Sequence, residues 1–420
     1  MKKTVRNLFL SVGTLAMCAS VSGCSSVKGA TYTAGTPIKI GLICLHDSAS
    51  TYDANFINSM NEAVSNLGSK VETVVTKTGI PESKECYDAC KDLVKQGCNF
   101  IFCDSFGHQD FIIKAAKKWP SVIFGHATGT NAKTAKLSNY FNAFASIYEG
   151  RYLAGVAAGA RLKADIELGK VTSKYMDGGN VKLGYVGAYP YAEVMSGYTS
   201  WFLGVKSQVN NVVMDVTFTN SWYDQPAEQA GAQTLIDKGC YLISQHADSM
   251  GAPGACETAR VYNTSYNIST QVDCYNTFLS YSRINWAPCF ENVINTMYAS
   301  GNDAVTSSMT DYNWTGSFNT GSVVYGLSTN SYLIDQDIKD AVATAEAGIK
   351  DGSIKVFDCS KFTVGGVTLT TYMGDTDGDY AGDTEVITTD SKTGITYFNE
   401  SYYCSAPYFN VEIDGITKLN

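Results

Sequence analysis

Short apolar runs alternate with helix-length stretches along this 420-residue chain, and that alternation limits the fold more than any other feature. Residues 38–44 (IKIGLIC), 71–76, 99–103 (NFIFC) and 122–126 (VIFGH) read as strands. Between them, residues 55–67, 86–95 and 110–118 read as helices. The first carries Phe56, Met60, Ala63, Val64 and Leu67 on one face. Gly68, Gly97 and the Trp119-Pro120 pair end these helices. After Gly178-Gly179 the pattern restarts, with strands at 181–186, 212–218 and 240–244 and helices at 194–209 and from Pro226 to Gly239. Strand–helix alternation implies parallel strands joined by right-handed crossovers. Two consecutive runs predict an α/β protein of two Rossmann-like lobes with a ligand cleft between them.

Parallel sheets bind ligands outside the carboxyl ends of their strands. Loops 220–224 and 245–249 both leave that edge, and they bring Trp222, Tyr223, Asp224, His246 and Asp248 to one rim. Corresponding loops of both runs hold Tyr52, Asp53, Phe56, Asp104, Phe106, Tyr189 and Glu193, and Trp286 stands at the start of an expected helix over 284–299. Structural roles compete at several positions. Phe56 and Phe106 also suit a core, Asp224 suits a helix cap before Pro226, and Tyr189 beside Pro190 suits a turn. His46, His126 and His246 each end a strand; without an H-x-x-x-H spacing, no metal is expected there.

The residue balance narrows the partners. The formal net charge is −9, and the three basic residues Lys2, Lys3 and Arg6 lie in an expected leader. The remainder holds 28 basic against 40 acidic residues, which disfavours nucleic acid and polyanions. Residues 1–23 read as a signal peptide, with a positive start and an apolar run over 8–21 too short to span a bilayer. Val21-Ser22-Gly23-Cys24 is similar to a bacterial lipoprotein cleavage box, which would make Cys24 the lipidated residue and residues 24–36 a tether. The mature chain is then expected outside the cell membrane on acyl chains, as a monomer.

Eleven cysteines remain once Cys18 and Cys24 are set aside. Cys44, Cys98, Cys103 and Cys240 lie in or beside apolar strands and read as small buried residues. Cys86 and Cys90, four apart on a helix, do not suit a disulfide. They could share a metal, but no His or Cys is read as following at finger-like spacing, so zinc is not expected. The run 145–162 (ASIYEGRYLAGVAAGARL) reads as a long helix whose small residues serve close packing. Asp375, Asp377, Asp379, Asp383 and Glu385 have the composition of a calcium loop. Tyr380 and Val386 occupy the positions that need Gly and Glu, so a solvated turn is expected. No cofactor is expected.

Three segments together are specific: the Tyr52-Asp53 loop leading to Phe56, the run Ile147-Tyr148-Glu149-Gly150-Arg151-Tyr152 through Gly159, and Ser221-Trp222-Tyr223-Asp224 with Gln245-His246-Ala247-Asp248-Ser249. Over roughly residues 37–350 the chain resembles the basic membrane protein family, lipid-anchored substrate-binding proteins of ABC transporters similar to the purine-nucleoside receptor lipoproteins. The resemblance implies a type I periplasmic-binding fold. Lobe I would span 37–147 with a return near 280–310 and lobe II 148–279 with a return near 311–350; residues 351–420, outside the resemblance and longer than the family's tail, read from their own composition as a β-rich extension. It also implies a purine nucleoside or nucleobase as ligand and an ABC permease as partner. The chain departs from the family at Phe56-Ile57-Asn58, where many members have Phe-Asn-Gln, and at His246–Ser249, where one branch has a glycine-rich turn. Aromatic rims stack on bases, and carboxylates accept ring N–H groups and vicinal hydroxyls. No Gly-rich loop followed by Lys-Ser/Thr is present, so an unphosphorylated ligand is expected. A sugar would suit the same rim. A surface nucleoside hydrolase would need an acid–base pair or metal-bound water, and no G-x-S-x-G or H-E-x-x-H motif occurs.

Overall fold

A computed structural model describes residue 29 and residues 31–420. The expected leader, Cys24 and the start of the tether lie outside the described residues.

Two parallel sheets organise the chain. The first has six strands in the order Val71–Lys77, Ile38–Ile43, Phe100–Cys103, Ile123–Ala127, Tyr140–Ala145 and Asn313–Gly316, all parallel. The second runs Val323–Leu327, Phe278–Ile284, Tyr262–Tyr266, Leu242–His246, Asn180–Gly187, Val212–Phe218 and Ile416–Lys418. Its first member is antiparallel to its neighbour, and Met176–Asp177 adds a short antiparallel edge. Strands such as FIFC at Phe100–Cys103 are buried at every residue, as expected where helices cover both faces. The fold is thus mixed α/β, two lobes each built on a parallel sheet.

The chain passes between the lobes three times. Ser146 links the strand Tyr140–Ala145 to the helix Ile147–Glu167, Asn285 and Trp286 link Phe278–Ile284 to Ala287–Ser300, and residues 317–322 link Asn313–Gly316 to Val323–Leu327. The returns therefore start at 285 and after 316, where the sequence placed them near 280 and 311. Seven strands of the two sheets carry no sequence expectation: Tyr140–Ala145, Met176–Asp177, Tyr262–Tyr266, Phe278–Ile284, Asn313–Gly316, Val323–Leu327 and Ile416–Lys418. Tyr262–Tyr266 (YNTSY) shows why. Asn263, Thr264 and Ser265 are buried, and side-chain hydrogen bonds to Ile243 O and Gln245 replace the apolar run.

The first helix starts at Thr51, four residues earlier than its apolar face suggests. Ser50 is its cap: the Ser50 hydroxyl accepts the Asp53 N–H at 3.3 Å and donates to the Asp53 carboxylate at 2.6 Å. Tyr52 and Asp53 therefore stand in a rigid first turn rather than in a loop. The long helix Ile147–Glu167 packs on Ala192–Lys206 at backbone contact. A Cβ on Gly155 would lie 2.1 Å from the Trp201 carbonyl oxygen, and one on Gly204 would lie 2.2 Å from that of Tyr152.

The C-terminal segment carries five short strands and packs against both lobes. After the helix Gln336–Asp351 it forms short pairs, Met373–Gly374 with Thr384–Glu385 and Ile387–Thr389 with Thr396–Phe398. Phe357, Phe398, Tyr408 and Phe409 join the core of the second lobe, with Phe357 and Phe409 stacked at 4.3 Å. The segment also reaches the first lobe, where the Ser405 N–H and hydroxyl donate to Asn313 Oδ1 at 3.1 and 2.9 Å. Near Asp375 the chain turns, and the Asp375 carboxylate accepts the Gly378 and Tyr380 N–H groups at 2.8 and 3.0 Å; the carboxylates of Asp375, Asp377 and Asp379 also lie within 4.8 Å of one another.

Candidate functional site

The carboxyl edges of both sheets face each other across a narrow cavity lined from both lobes. The first lobe lines it with Leu45, His46, Tyr52, Asp53, Ser105, Phe106 and Thr128, and the second with Glu193, Trp222, His246, Asp248 and Tyr266. The two loops that the sequence placed on one rim do meet, as the Asp248 N–H donates to the Trp222 carbonyl at 3.0 Å. The lobes touch directly beside them. The Thr51 N–H donates to the Asp248 carbonyl at 2.8 Å, His46 faces the Tyr223 ring at 5.5 Å, and Phe106 faces Tyr191 at 5.6 Å.

Each aromatic wall is braced from behind. Trp222 meets Tyr189 edge-on at 5.1 Å, and Tyr189 is stacked on Tyr191 at 5.1 Å. The Tyr52 hydroxyl donates to the Asp104 carbonyl at 2.8 Å while its ring packs edge-on against Phe56. Tyr266 lies against the His246 ring at 4.6 Å and carries the buried Arg151 guanidinium on its face at 4.5 Å. Arg151 also donates to the Gln245 carbonyl at 2.9 Å, so a cation sits just beneath an acidic site.

The acids divide by environment. Burial pushes the Asp53 carboxyl up, but hydrogen bonds from His46 and Ser50 outweigh it and hold the group below the usual range. Asp104 is pushed well above its usual range by burial first and then by the charge of Asp53. Asp248 is pushed well above by burial and by Glu228, Asp53 and Glu193. His246 is held down by burial, against the pull of Glu193 at 3.4 Å, so its ring stays neutral. Near neutral pH the cavity thus presents an ionised Asp53 carboxylate, an Asp248 carboxyl biased to the neutral acid and a neutral imidazole, together with Glu193, while Asp104 lies beneath it as a second carboxyl biased to the neutral acid. Such a set exchanges hydrogen bonds with polar uncharged groups and disfavours a phosphate.

Seven of the residues singled out by sequence line the cavity: Tyr52, Asp53, Phe106, Glu193, Trp222, His246 and Asp248. Five do not. Phe56 and Trp286 stack on each other at 4.3 Å inside the core of the first lobe, because their helix positions face the sheet. Asp104 is fully buried beneath the site, where Oδ1 accepts the Leu45 N–H at 3.1 Å. Asp224 caps the helix Gln225–Asp237 by accepting the Ala227 N–H at 3.0 Å. Tyr189 braces Trp222 from outside. Leu45, His46, Ser105, Thr128 and Tyr266 line the cavity without having been proposed as ligand contacts, although His46 drew attention as a strand-ending histidine. The three strand-ending histidines form no cluster at ligand spacing among the described residues. His126 is buried with Nε2 2.7 Å from the Ser105 carbonyl.

A wider recess of about 1360 Å³, open to solvent, adjoins the cavity and shares Phe106, Thr128, Glu193 and Trp222 with it. Its third wall is the C-terminal segment, through Tyr372, Asp375, Tyr380 and Tyr408.

Residues 40–346 match the family described as ABC transporter substrate-binding protein, PnrA-like. The chain is 35% identical over 218 residues to a purine-binding protein of Brucella abortus, a match covering 52% of this chain and 53% of that one. The aligned region is thus about half the length of that relative. It is 28% identical over 292 residues to a putative ABC transporter glucose-binding protein of Haloferax volcanii, covering 70% and 67% of the two chains. Among solved structures, an ABC transporter solute-binding protein of Aeropyrum pernix superposes with a TM-score of 0.60 at 15% identity, over 76% of this chain and 93% of that one. One from Conexibacter woesei gives 0.57 at 15% identity, over 76% and 98%. These likenesses establish a shared two-lobe fold. No described helix is long and apolar enough to cross a membrane.

Proposed function

The chain belongs to the PnrA-like family of ABC transporter substrate-binding proteins, and from that premise we propose that it is an extracytoplasmic receptor for a purine nucleoside or nucleobase. It closes its lobes over the ligand and presents it to a membrane permease, held to the membrane through Cys24. The observation that carries the ligand class is the interlobe cavity, with Trp222 and His246 on one side, Tyr52 and Phe106 on the other, and acids of unlike ionisation between them. Flat apolar faces suit a heterocycle, and mixed carboxylate and carboxylic acid groups suit its ring N–H groups, ring nitrogens and ribose hydroxyls. Ligand contacts to both lobes supply the free energy that favours the closed state. The purine-binding relative supports the same class.

Calorimetry with adenosine, guanosine, inosine, adenine and glucose tests this reading. A purine should bind, and Trp222→Ala should weaken it at least about tenfold, since aromatic stacking on a base is worth roughly 1–3 kcal/mol. Binding of glucose alone, or purine affinity untouched by the substitution, would reject it. A sugar receptor is the second reading. The glucose-binding relative favours it, and aromatic-plus-acid rims also hold pyranoses. No catalytic step is proposed.

A further inference from the structure

Behind the loop that delivers Ser105 and Phe106 to the cavity, three thiols and an imidazole meet inside the first lobe. Cys86 and Cys90 project from one face of the helix Lys84–Lys95, Cys103 ends the strand Phe100–Cys103, and His108 follows it. All four side chains are buried to within 1% of complete exclusion from solvent. The Cys86 and Cys103 sulfurs are 3.8 Å apart, and both lie within 4.8 Å of a His108 ring nitrogen. Cys90, one helical turn after Cys86, is buried in the same core cluster, just outside the three whose ligand atoms lie within 4.8 Å of one another.

We propose that Cys86, Cys90, Cys103 and His108 form a structural site for a thiophilic divalent cation, zinc above all. Three observations carry this. A tetrahedral zinc with bonds of about 2.3 Å to sulfur sets its ligand sulfurs roughly 3.8 Å apart, which is the Cys86–Cys103 separation. His108 Nε2 lies 2.9 Å from the Ile80 carbonyl, so Nε2 carries the proton and Nδ1 presents a lone pair. A backbone carbonyl that accepts from the other ring nitrogen orients metal-binding histidines in this way. Nδ1 is buried and finds no hydrogen-bond donor, which leaves the acceptor unsatisfied unless something else meets it. The chain spacing, Cys-x3-Cys-x12-Cys-x4-His, is itself finger-like. This corrects the sequence expectation that no His or Cys follows Cys90 at finger-like spacing, since Cys103 and His108 do.

Binding would deprotonate the thiols and release their protons, and it would staple the helix Lys84–Lys95 to the segment 103–108. That segment carries two cavity residues, so the metal would stiffen one wall of the ligand site from behind. It would also keep three adjacent thiols from oxidising in an oxidising compartment.

The protein purified under reducing conditions from zinc-supplemented medium should retain about one zinc per chain by elemental mass spectrometry. Cobalt in its place should give a thiolate-to-metal charge-transfer band and intense tetrahedral d–d bands. Cys103→Ser and His108→Gln should each cut the retained metal to under about a tenth, while Cys98→Ser, at a buried thiol outside the cluster, keeps it. Should the ligand variants fail to fold, the wild type decides: chelation should lower its melting temperature by several degrees and zinc should restore it. A wild-type protein that binds neither zinc nor cobalt, a cobalt spectrum without thiolate charge transfer, or a mapped Cys86–Cys103 disulfide would each overturn the proposal. None of these readouts depends on which solute the cleft binds.

Discussion

Asp53 and Asp248 face the same cavity from opposite lobes, yet their surroundings drive them to different protonation states. Asp53 is tied into a helix cap with Ser50 and the His46 N–H, so its charge is compensated by donors. Asp248 has the Asn267 amide at 3.2 Å and several carboxylates nearby, so burial favours its neutral acid. The two should respond differently to amide substitution. Asp53→Asn removes a charge and disturbs the cap, and should weaken purine binding by about tenfold or more, the effect of losing one charged hydrogen bond worth roughly 1.5–3 kcal/mol. Asp248→Asn replaces a neutral acid with a neutral amide and should change affinity less than about threefold. Titration calorimetry of both variants at neutral pH checks this, and a larger loss for Asp248→Asn would contradict the assigned ionisation. At this scale the sequence showed the residues but not their orientation. Trp222 and Asp248 were legible because loops leaving parallel strands must reach the carboxyl edge. Phe56 and Trp286 misled because an aromatic near a helix start serves a core as readily as a cleft.

Among the elements, the helix Ala192–Lys206 decides most, because three others lean on it. Ile147–Glu167 approaches it through Gly155, and His246 packs over Gly197, where a Cβ would lie 2.5 Å from the ring Nδ1. The C-terminal segment inserts Glu400, whose buried carboxyl accepts the Ser196 hydroxyl. Burial pushes that carboxyl up to about 8, against the lowering effect of Ser196. Its folded pKa lies above the value of 4.5 expected when unfolded, so its stabilising contribution is complete below about 4.5 and is lost as pH rises through about 8. Glu400→Gln cannot ionise. Its melting temperature relative to wild type should therefore climb between about pH 5 and about pH 9, as thermal unfolding over that range would show. A constant difference across the range would place Glu400 in contact with water. The small residues of 145–162 foretold close packing, but not the partner helix, because a glycine stripe carries no address.

For the whole molecule, the C-terminal segment is the departure from a bare two-lobe receptor. It is anchored in the second lobe through Phe357, Phe398 and Phe409, and its turn at Gly378 lies against Thr130 and Asn131 of the first. It therefore walls the recess that leads to the interlobe cavity. Replacing residues 375–382 with a short turn should speed ligand association several-fold in stopped-flow measurements while leaving Phe357, Phe398 and Phe409 in place. An unchanged association rate would show that ligands enter elsewhere.

Alternating apolar runs and helices were enough to determine a two-lobe α/β fold and the sheet edges that face its cleft, because side-chain periodicity and crossover handedness are local consequences of chain geometry. Folding alone decided which acids stay charged, which aromatics face the cavity, and that Cys86, Cys90, Cys103 and His108 share one buried space. Those outcomes depend on distances between residues far apart in the chain, and on the solvent that packing removes from around them.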